Sequence, residues 1–171
     1  VDDMKGGNVG VLMVRGADPM YGLPGAAGFR DASYEVPLIV SFSGHMDDTA
    51  AMADLVLPEH SYLEDWGSDA PDPGPGFETI GFQQPVVRPF FEPRGVHLGT
   101  KGFPEVLLGI AGGLGMGLGL PGETFKEILR DGARQLFESR RGVVGVTKAT
   151  GLPDFKCFWN AALRHGFWRA D

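Results

Sequence analysis

The chain has 171 residues, 43% hydrophobic and 22% charged, enough for a genuine core and ordinary for a globular domain. A net charge of -7, a pI near 5.0 and the lack of any Lys/Arg run exclude nucleic-acid recognition through a basic face. One cysteine, Cys157, excludes an internal disulfide and any cysteine-ligated cluster built by this chain alone.

Glycine and proline, 27 and 13 residues, approach a quarter of the chain, while the hydrophobic content points to a loop-rich fold rather than an unfolded one. The first apolar run, Val9–Arg15, ends at a Gly/Pro cluster and suits a strand buried on both faces of a parallel sheet. Gly25–Tyr34 reads as a short helix with Ala26, Phe29 and Ala32/Ser33 on one face. Val36–Phe42 reads as a second buried strand, with Pro37 at the start, where proline is tolerated. Asp47–Ala53 reads as a helical turn or two with acidic residues at its positive end. Ala53–Leu57 is a third strand, stopped by Pro58. Strand and helix alternating at these lengths imply right-handed crossovers and a parallel sheet.

The second half changes character. Asp69–Gly76 is a loop without periodicity, and Val86–Phe91, bracketed by Pro85 and Pro89, reads as an edge strand. Val106–Leu120 is apolar over fifteen residues with six glycines. It is shorter than the roughly twenty residues of a membrane span, and reads as a helix end running into a glycine loop despite the small-xxx-small spacing of Gly109, Gly113 and Gly117. Phe125, Ile128/Leu129, Gly132/Ala133 and Leu136/Phe137 form a helical stripe ended by Arg140-Arg141-Gly142. Phe155, Phe158/Trp159 and Ala162/Leu163 form another, with Asp154 as N-cap and Gly166 after its end. The expected fold class is α/β: an open, mainly parallel Rossmann-like sheet with flanking helices and a loop-rich, helical C-terminal half. Residues 1–111 are expected to form the dinucleotide-binding-type domain. Residues 112–171 are expected to pack their loop and two helices on it or on other domains. The chain opens at Val1, without an initiator Met or a signal-type leader, and reads as an excerpt.

The longest motif runs Asp47-Asp48-Thr49-Ala50-Ala51-Met52-Ala53-Asp54-Leu55-Val56-Leu57-Pro58, with Glu64 and Gly67 beyond it. It resembles, in register, the signature of molybdopterin oxidoreductases of the dimethyl-sulfoxide-reductase type. Gly16-Ala17-Asp18-Pro19 resembles that family's Gly-x-Asn-Pro turn, and Gly81-Phe82-Gln83-Gln84-Pro85-Val86-Val87 its amide-rich loop. The wording of that loop is similar to one branch: subunits of polysulfide and tetrathionate reductases, alternative complex III and menaquinone reductase complexes. The resemblance covers residues 9–111 closely and 120–171 loosely.

The resemblance implies a domain that embraces the guanine-nucleotide end of a molybdopterin guanine dinucleotide beyond the carboxyl ends of its strands. Its site would comprise Gly16, Ala17, Asp18, Pro19, Phe42, Ser43 and Asp65. It also implies an iron–sulfur cluster and the molybdenum ligand outside these residues, and no catalytic or metal-ligating residue within them. The partners it implies are the remaining domains of the subunit plus iron–sulfur and membrane quinone-interacting subunits, on the periplasmic side of a bacterial inner membrane, with no nucleic acid and no membrane span here. The chain departs from the pattern at informative places. Asp18 replaces the turn Asn, Phe42-Ser43 a Ser-Asp pair, Asp65 a Lys, and Glu105 an Asp. By the resemblance, Asp18 loses the amide donor, Phe42-Ser43 loses the Asp that recognises the nucleotide, and Asp65 puts a carboxylate where a cation would face phosphate. Two expectations therefore stand: an oxidoreductase subunit whose domain holds the nucleotide tail, or a cofactor-free scaffold of a quinone-linked complex.

Other constellations carry less. Ser43, His45 and Asp48 have triad residue types without the Gly-x-Ser-x-Gly elbow. His60 and Glu64 lack a third ligand. Gly117-x-Gly119-x-x-Gly122 lacks the strand such a motif must follow. Cys157 falls on an apolar helix stripe, which predicts buried packing, and Trp159 and Trp168 read as core or docking surface.

Overall fold

A computed structural model describes residues 1–72, 76–89, 95 and 99–171 of the chain. It divides into two compact units, residues 1–61 with 90–103, and residues 62–89 with 104–171.

The first unit is the expected parallel α/β arrangement. Strands β1 (Leu12–Val14), β2 (Ile39–Ser41) and β3 (Leu55–Val56) pair in parallel in that order, Leu12 beside Ile39 and Val40 beside Leu55. Helices α1 (Asp2–Lys5), α2 (Pro19–Gly22), α3 (Phe29–Ser33) and α4 (Asp48–Met52) are one or two turns each. α1 packs on α3, and α2 on α3 and α4. The core gathers Met4, Ala32, Val36 and Ile39, with Leu12, Phe29 and Ala53 against them. The strands are shorter than their apolar runs, because the flanking residues pair only through isolated bonds such as Leu12 N to Leu38 O and Phe42 N to Val14 O. Asp54 sets the start of β2. Its carboxylate accepts from Ile39 N at 2.8 Å while its own N–H donates to Ile39 O at 2.9 Å, so both backbone groups of the strand's first residue are satisfied.

The second unit contains a sheet that the sequence pattern does not announce. Strands β4 (Gly67–Asp69), β5 (Thr79–Gln83), β6 (Val143–Val144), β7 (Thr147–Lys148) and β8 (Phe167–Arg169) form an antiparallel sheet in the order β4-β5-β8-β6-β7. Helix α5 spans Phe103–Gly113, α6 Phe125–Glu138 and α7 Phe155–His165. α6 starts on a capping box, Thr124 Oγ1 accepting from Glu127 N and Glu127 Oε2 from Thr124 N. α7 starts on Asp154, which accepts from Cys157 N at 2.7 Å, and ends at Gly166 in the left-handed region. Phe82, Leu129, Phe137, Val144, Phe158, Trp159 and Trp168 form the core, with Trp66 stacked on Trp159 at 6.1 Å. Trp168 donates to Arg141 O at 3.1 Å and lies against Gly142. At φ +78° with the indole this close, position 142 accommodates only glycine.

Two expectations need correction. Val86–Pro89 is not a strand: Val86 and Val87 both donate to Leu63 O, which bends the chain, and Pro85 and Pro89 cannot donate. The rest of the expected edge strand, residues 90–91, lies outside the described residues. Cys157 is exposed rather than packed, because the apolar face of α7 is filled by Phe158, Trp159 and Ala162. Of the two readings of Trp159 and Trp168, core is the one the structure shows. The reading of a helix end entering a glycine loop holds. α5 stops at Gly113, and Leu114, Met116, Leu118 and Leu120 are exposed beyond it.

Candidate functional site

Parallel strands in the order β1-β2-β3 bring their carboxyl ends to one edge, where ligands of open α/β sheets bind. The turns Gly16–Pro19 and Ser41–His45 and residues 58–61 leave from that edge. Residues 62–64 of the third predicted turn, and Asp65, belong to the second unit.

The first turn is built around Asp18. Its Oδ1 accepts from Tyr21 N at 3.3 Å as the N-cap of α2, with Pro19 at the first helical position. The same oxygen accepts from Thr49 N at 3.1 Å and from Thr49 Oγ1 at 2.6 Å. Thr49, 1% exposed, in turn accepts from Met20 N at 3.1 Å. The Thr49 hydroxyl, more than the backbone amides, holds the Asp18 carboxyl below its ordinary value. Asp18 and Thr49 thus clamp the β1 exit to the start of α4. Gly16, with φ +65°, supplies the left-handed turn ahead of them, and Ala17 joins it to the clamp.

The second turn is closed by its own side chains. Ser43 N donates to Ser41 Oγ and His45 N to Ser43 Oγ. Phe42 is 1% exposed, its ring 4.8 Å edge-on from Phe103, so it offers a ligand backbone only. Ser43 Oγ is engaged with an amide of its own turn and not with an imidazole–carboxylate relay.

One cation at this edge is Arg15, and it is compensated. Arg15 Nε lies 2.6 Å from Glu59 Oε2, and the guanidinium sits 4.9 Å from the Phe103 ring centroid. His60 Nδ1 pairs with Thr100 Oγ1 at 3.0 Å. Asp65 accepts from Trp66 N at 2.8 Å. Gln83 Nε2 ties down that loop by donating to Tyr62 O and Asp65 O. Glu105 accepts from Phe125 N at 2.8 Å, a helix-start role. Among the described residues no three His, Cys, Asp or Glu side chains converge on a metal position. Hydrogen bonding to Asp154 raises the exposed Cys157 thiol above its ordinary value, which favours the inert protonated form.

A pyrophosphate needs unspent N–H groups or cations. Here Thr49 N is taken by Asp18 and Ala50 N by Asp47 Oδ1 at 2.7 Å, while Arg15 is taken by Glu59. These two amides of α4 and the Arg15 guanidinium are thus engaged by the chain's own carboxylates. Sequence reasoning singled out Asp18 and Asp65 but missed the Thr49 clamp, the Arg15–Glu59 pair and the Phe103 cover. The first was accessible, since Asp18 caps a Pro-started helix and Thr49 sits in the motif. The other two join residues 44 and more positions apart in sequence.

The family profile of molybdopterin oxidoreductases matches residues 2–94. The menaquinone reductase, molybdopterin-binding-like subunit of Nitratidesulfovibrio vulgaris is 31% identical over 119 residues, 70% of this chain and 16% of that protein. A tetrathionate reductase subunit of Salmonella typhimurium is 30% identical over 77 residues, 43% of this chain and 8% of that protein. The chain belongs to the molybdopterin oxidoreductase family and spans a small part of the length of these relatives. No helix among the described residues is long and apolar enough to cross a membrane.

Proposed function

We propose that these residues form the dinucleotide-binding-type domain of a molybdopterin-type subunit in a membrane-associated, quinone-linked respiratory complex, and that the domain works there as a scaffold. Membership of the family suggests a molybdopterin cofactor, and both relatives are named as subunits of reductases. The observation that carries the scaffold reading is the Arg15–Glu59 pair, in which the chain's own carboxylate holds the guanidinium at this edge. A phosphate arriving here would displace a carboxylate and face it. At about 4 Å and an effective dielectric of 20, that repulsion is roughly 4 kcal/mol. Iron–sulfur and quinone-interacting subunits would be the partners, on the periplasmic side of the inner membrane.

A second reading keeps the domain as holder of the guanine-nucleotide part of a molybdopterin guanine dinucleotide, with molybdenum doing the chemistry elsewhere in the subunit. The intact Gly16 turn and the three strand-end turns on one edge favour it. In that case Gly16, Ala17, Pro19, Phe42 and Ser43 would contribute backbone groups, and Asp18 and Asp65 would face away from the phosphates. Molybdenum and guanine nucleotide measured per subunit in the purified full-length complex separate the two. Neither metal nor nucleotide, in a complex that still passes electrons, is the expected result. Stoichiometric molybdenum with guanine nucleotide overturns the scaffold reading.

A further inference from the structure

The C-terminal part of the second unit gathers cations in an otherwise acidic chain. Residues 125–171 hold nine Lys/Arg against five Asp/Glu, in a chain of net charge -7. Three of these arginines converge on one pair of rings. Phe137 and Phe155 lie 6.2 Å apart, where α6 packs on α7. The Arg134 guanidinium sits 4.3 Å and that of Arg130 5.7 Å from the Phe155 centroid, and that of Arg140 sits 4.7 Å from the Phe137 centroid. Arg130 and Arg134 stand one turn apart on α6, so their side chains share a face. All three arginines are exposed, and no carboxylate among the described residues forms an ion pair with any of them. Neighbouring acids are engaged elsewhere. Glu127 accepts from Glu123 N and Thr124 N, Asp131 from Gln135 Nε2 at 2.8 Å, and Asp154 from Cys157 N.

A guanidinium resting on a ring is attracted to it and still has N–H donors to offer a carboxylate, and the ring restricts the rotamers that such a contact would otherwise have to freeze. We propose that Arg130, Arg134 and Arg140, seated on the Phe137–Phe155 pair, form the docking site for a carboxylate-rich segment of a neighbouring subunit. Arginine with aromatic rings is the composition of interface hot spots, where lysine is depleted. A membrane surface fits this face less well. Glu127, Asp131 and Glu138 stand on the same helix, so a uniformly anionic plane would meet repulsion beside the arginines, whereas a protein segment places its charges one by one. Among the described residues from 125 onward, Val146 is the one large hydrophobic side chain exposed, which leaves little to insert into a bilayer. This proposal rests on the reading that the domain works inside a multi-subunit complex.

Lys126, one turn before Arg130, and Lys156, next to Phe155, are built-in reporters. The purified native complex is treated with a carbodiimide, which joins a lysine to a carboxylate only at ion-pair range, and the joined peptides are identified by mass spectrometry. Lys126 or Lys156 is expected to be joined to an Asp or Glu of another subunit, and Arg134→Lys, which keeps the charge, to add a crosslink at position 134 to the same segment. In parallel, the double variant Arg130→Gln/Arg134→Gln is expected to weaken association of the subunits about tenfold at physiological salt. Its association should also respond less to added salt than that of the wild type. Association within about twofold of wild type overturns the proposal. So do crosslinks confined to the subunit itself or to a second copy of it, and so does binding to phosphatidylglycerol vesicles that the double variant loses. The carbodiimide reaction at Lys126 and Lys156 uses unmodified protein, so it decides the matter even if the double variant misfolds. A subunit that purifies without any other subunit removes the complex reading and this proposal together, whereas a complex indifferent to the double variant removes this proposal alone.

Discussion

Thr49→Val tests the clamp that gives the strand-end edge its shape. Valine nearly fills the space of threonine, so packing at this 1%-exposed position changes little. Both roles of the hydroxyl disappear: donor to Asp18 Oδ1 at 2.6 Å and acceptor from Met20 N at 3.1 Å. Asp18 is solvent-accessible, so water replaces the lost donor there, and the larger loss is the part-buried Met20 amide left without its acceptor. An amide so stranded costs about 1–3 kcal/mol, and a destabilisation near 2 kcal/mol is expected by urea unfolding of the full-length subunit. Thr49→Ser keeps both bonds and gives up one methyl, about 1 kcal/mol of packing. Amide exchange separates these costs, because Met20 N–H exchanges faster in the valine variant and at the wild-type rate in the serine variant. The pH dependence has a definite sign. The folded Asp18 carboxyl is depressed chiefly by the Thr49 hydroxyl, so its contribution is complete above the ordinary Asp value of about 3.9 and fades as pH falls below it. Thr49→Val should flatten that acid limb. A valine variant with unchanged stability and unchanged Met20 exchange would refute the clamp.

Gly142→Ala should lower unfolding stability by about 3 kcal/mol, because φ is +78° and a Cβ would sit 2.6 Å from the Trp168 ring. Gly132→Ala, in the interior of α6 with open space around the added carbon, should raise it by about 0.5–1 kcal/mol; thermal midpoints of the two variants should move in opposite directions. Asp54→Ala should cost about 1–2 kcal/mol and speed exchange of the Ile39 amide, whose acceptor is the Asp54 carboxylate. Glu59→Gln should change stability by less than about 1 kcal/mol, since the Arg15–Glu59 pair is partly exposed. If it also raises guanine-nucleotide retention in the purified complex, freeing Arg15 restores a phosphate contact.

The parallel half was legible because its strands are continuous apolar runs punctuated by Gly, Pro and Asp, a pattern strong enough to place three strands and α4 in order. The antiparallel sheet was not. β6 and β7 are two residues each, β4 and β5 carry Gly67 and Gly81, and β8 follows α7 after one glycine, so none shows the alternation that marks a half-buried strand. Its order β4-β5-β8-β6-β7 pairs Thr79 with Arg169 and Gly81 with Phe167, far apart in sequence, a fact of tertiary pairing alone. The α6 capping box is readable in the spacing of Thr124 and Glu127, three residues apart ahead of an apolar stripe. Cys157 was misplaced because a helical stripe fixes its own boundary only to within a neighbour, and α7 turns Phe158 and Trp159 inward instead. At the site, residue types were readable but their allegiance was not, since Arg15 meets Glu59 only after the fold brings them together.

Within the long motif, Asp47 caps α4 through Ala50 N, Thr49 holds Asp18 and Met20, Asp54 fixes the first residue of β2, Leu55 and Val56 form β3, and Pro58 follows the strand's end. Every one of these roles belongs to the fold and none requires a nucleotide. A protein that had lost its cofactor would still need them to keep the sheet, so the motif identifies the architecture without reporting on the ligand. The ligand question falls to positions outside the motif that lie at the edge without supporting it, chiefly Arg15, Ser43 and Glu59. There the charges of Arg15 and Glu59 cancel within the chain, which is why the composition of the edge, and not the strength of the family match, carries the scaffold reading.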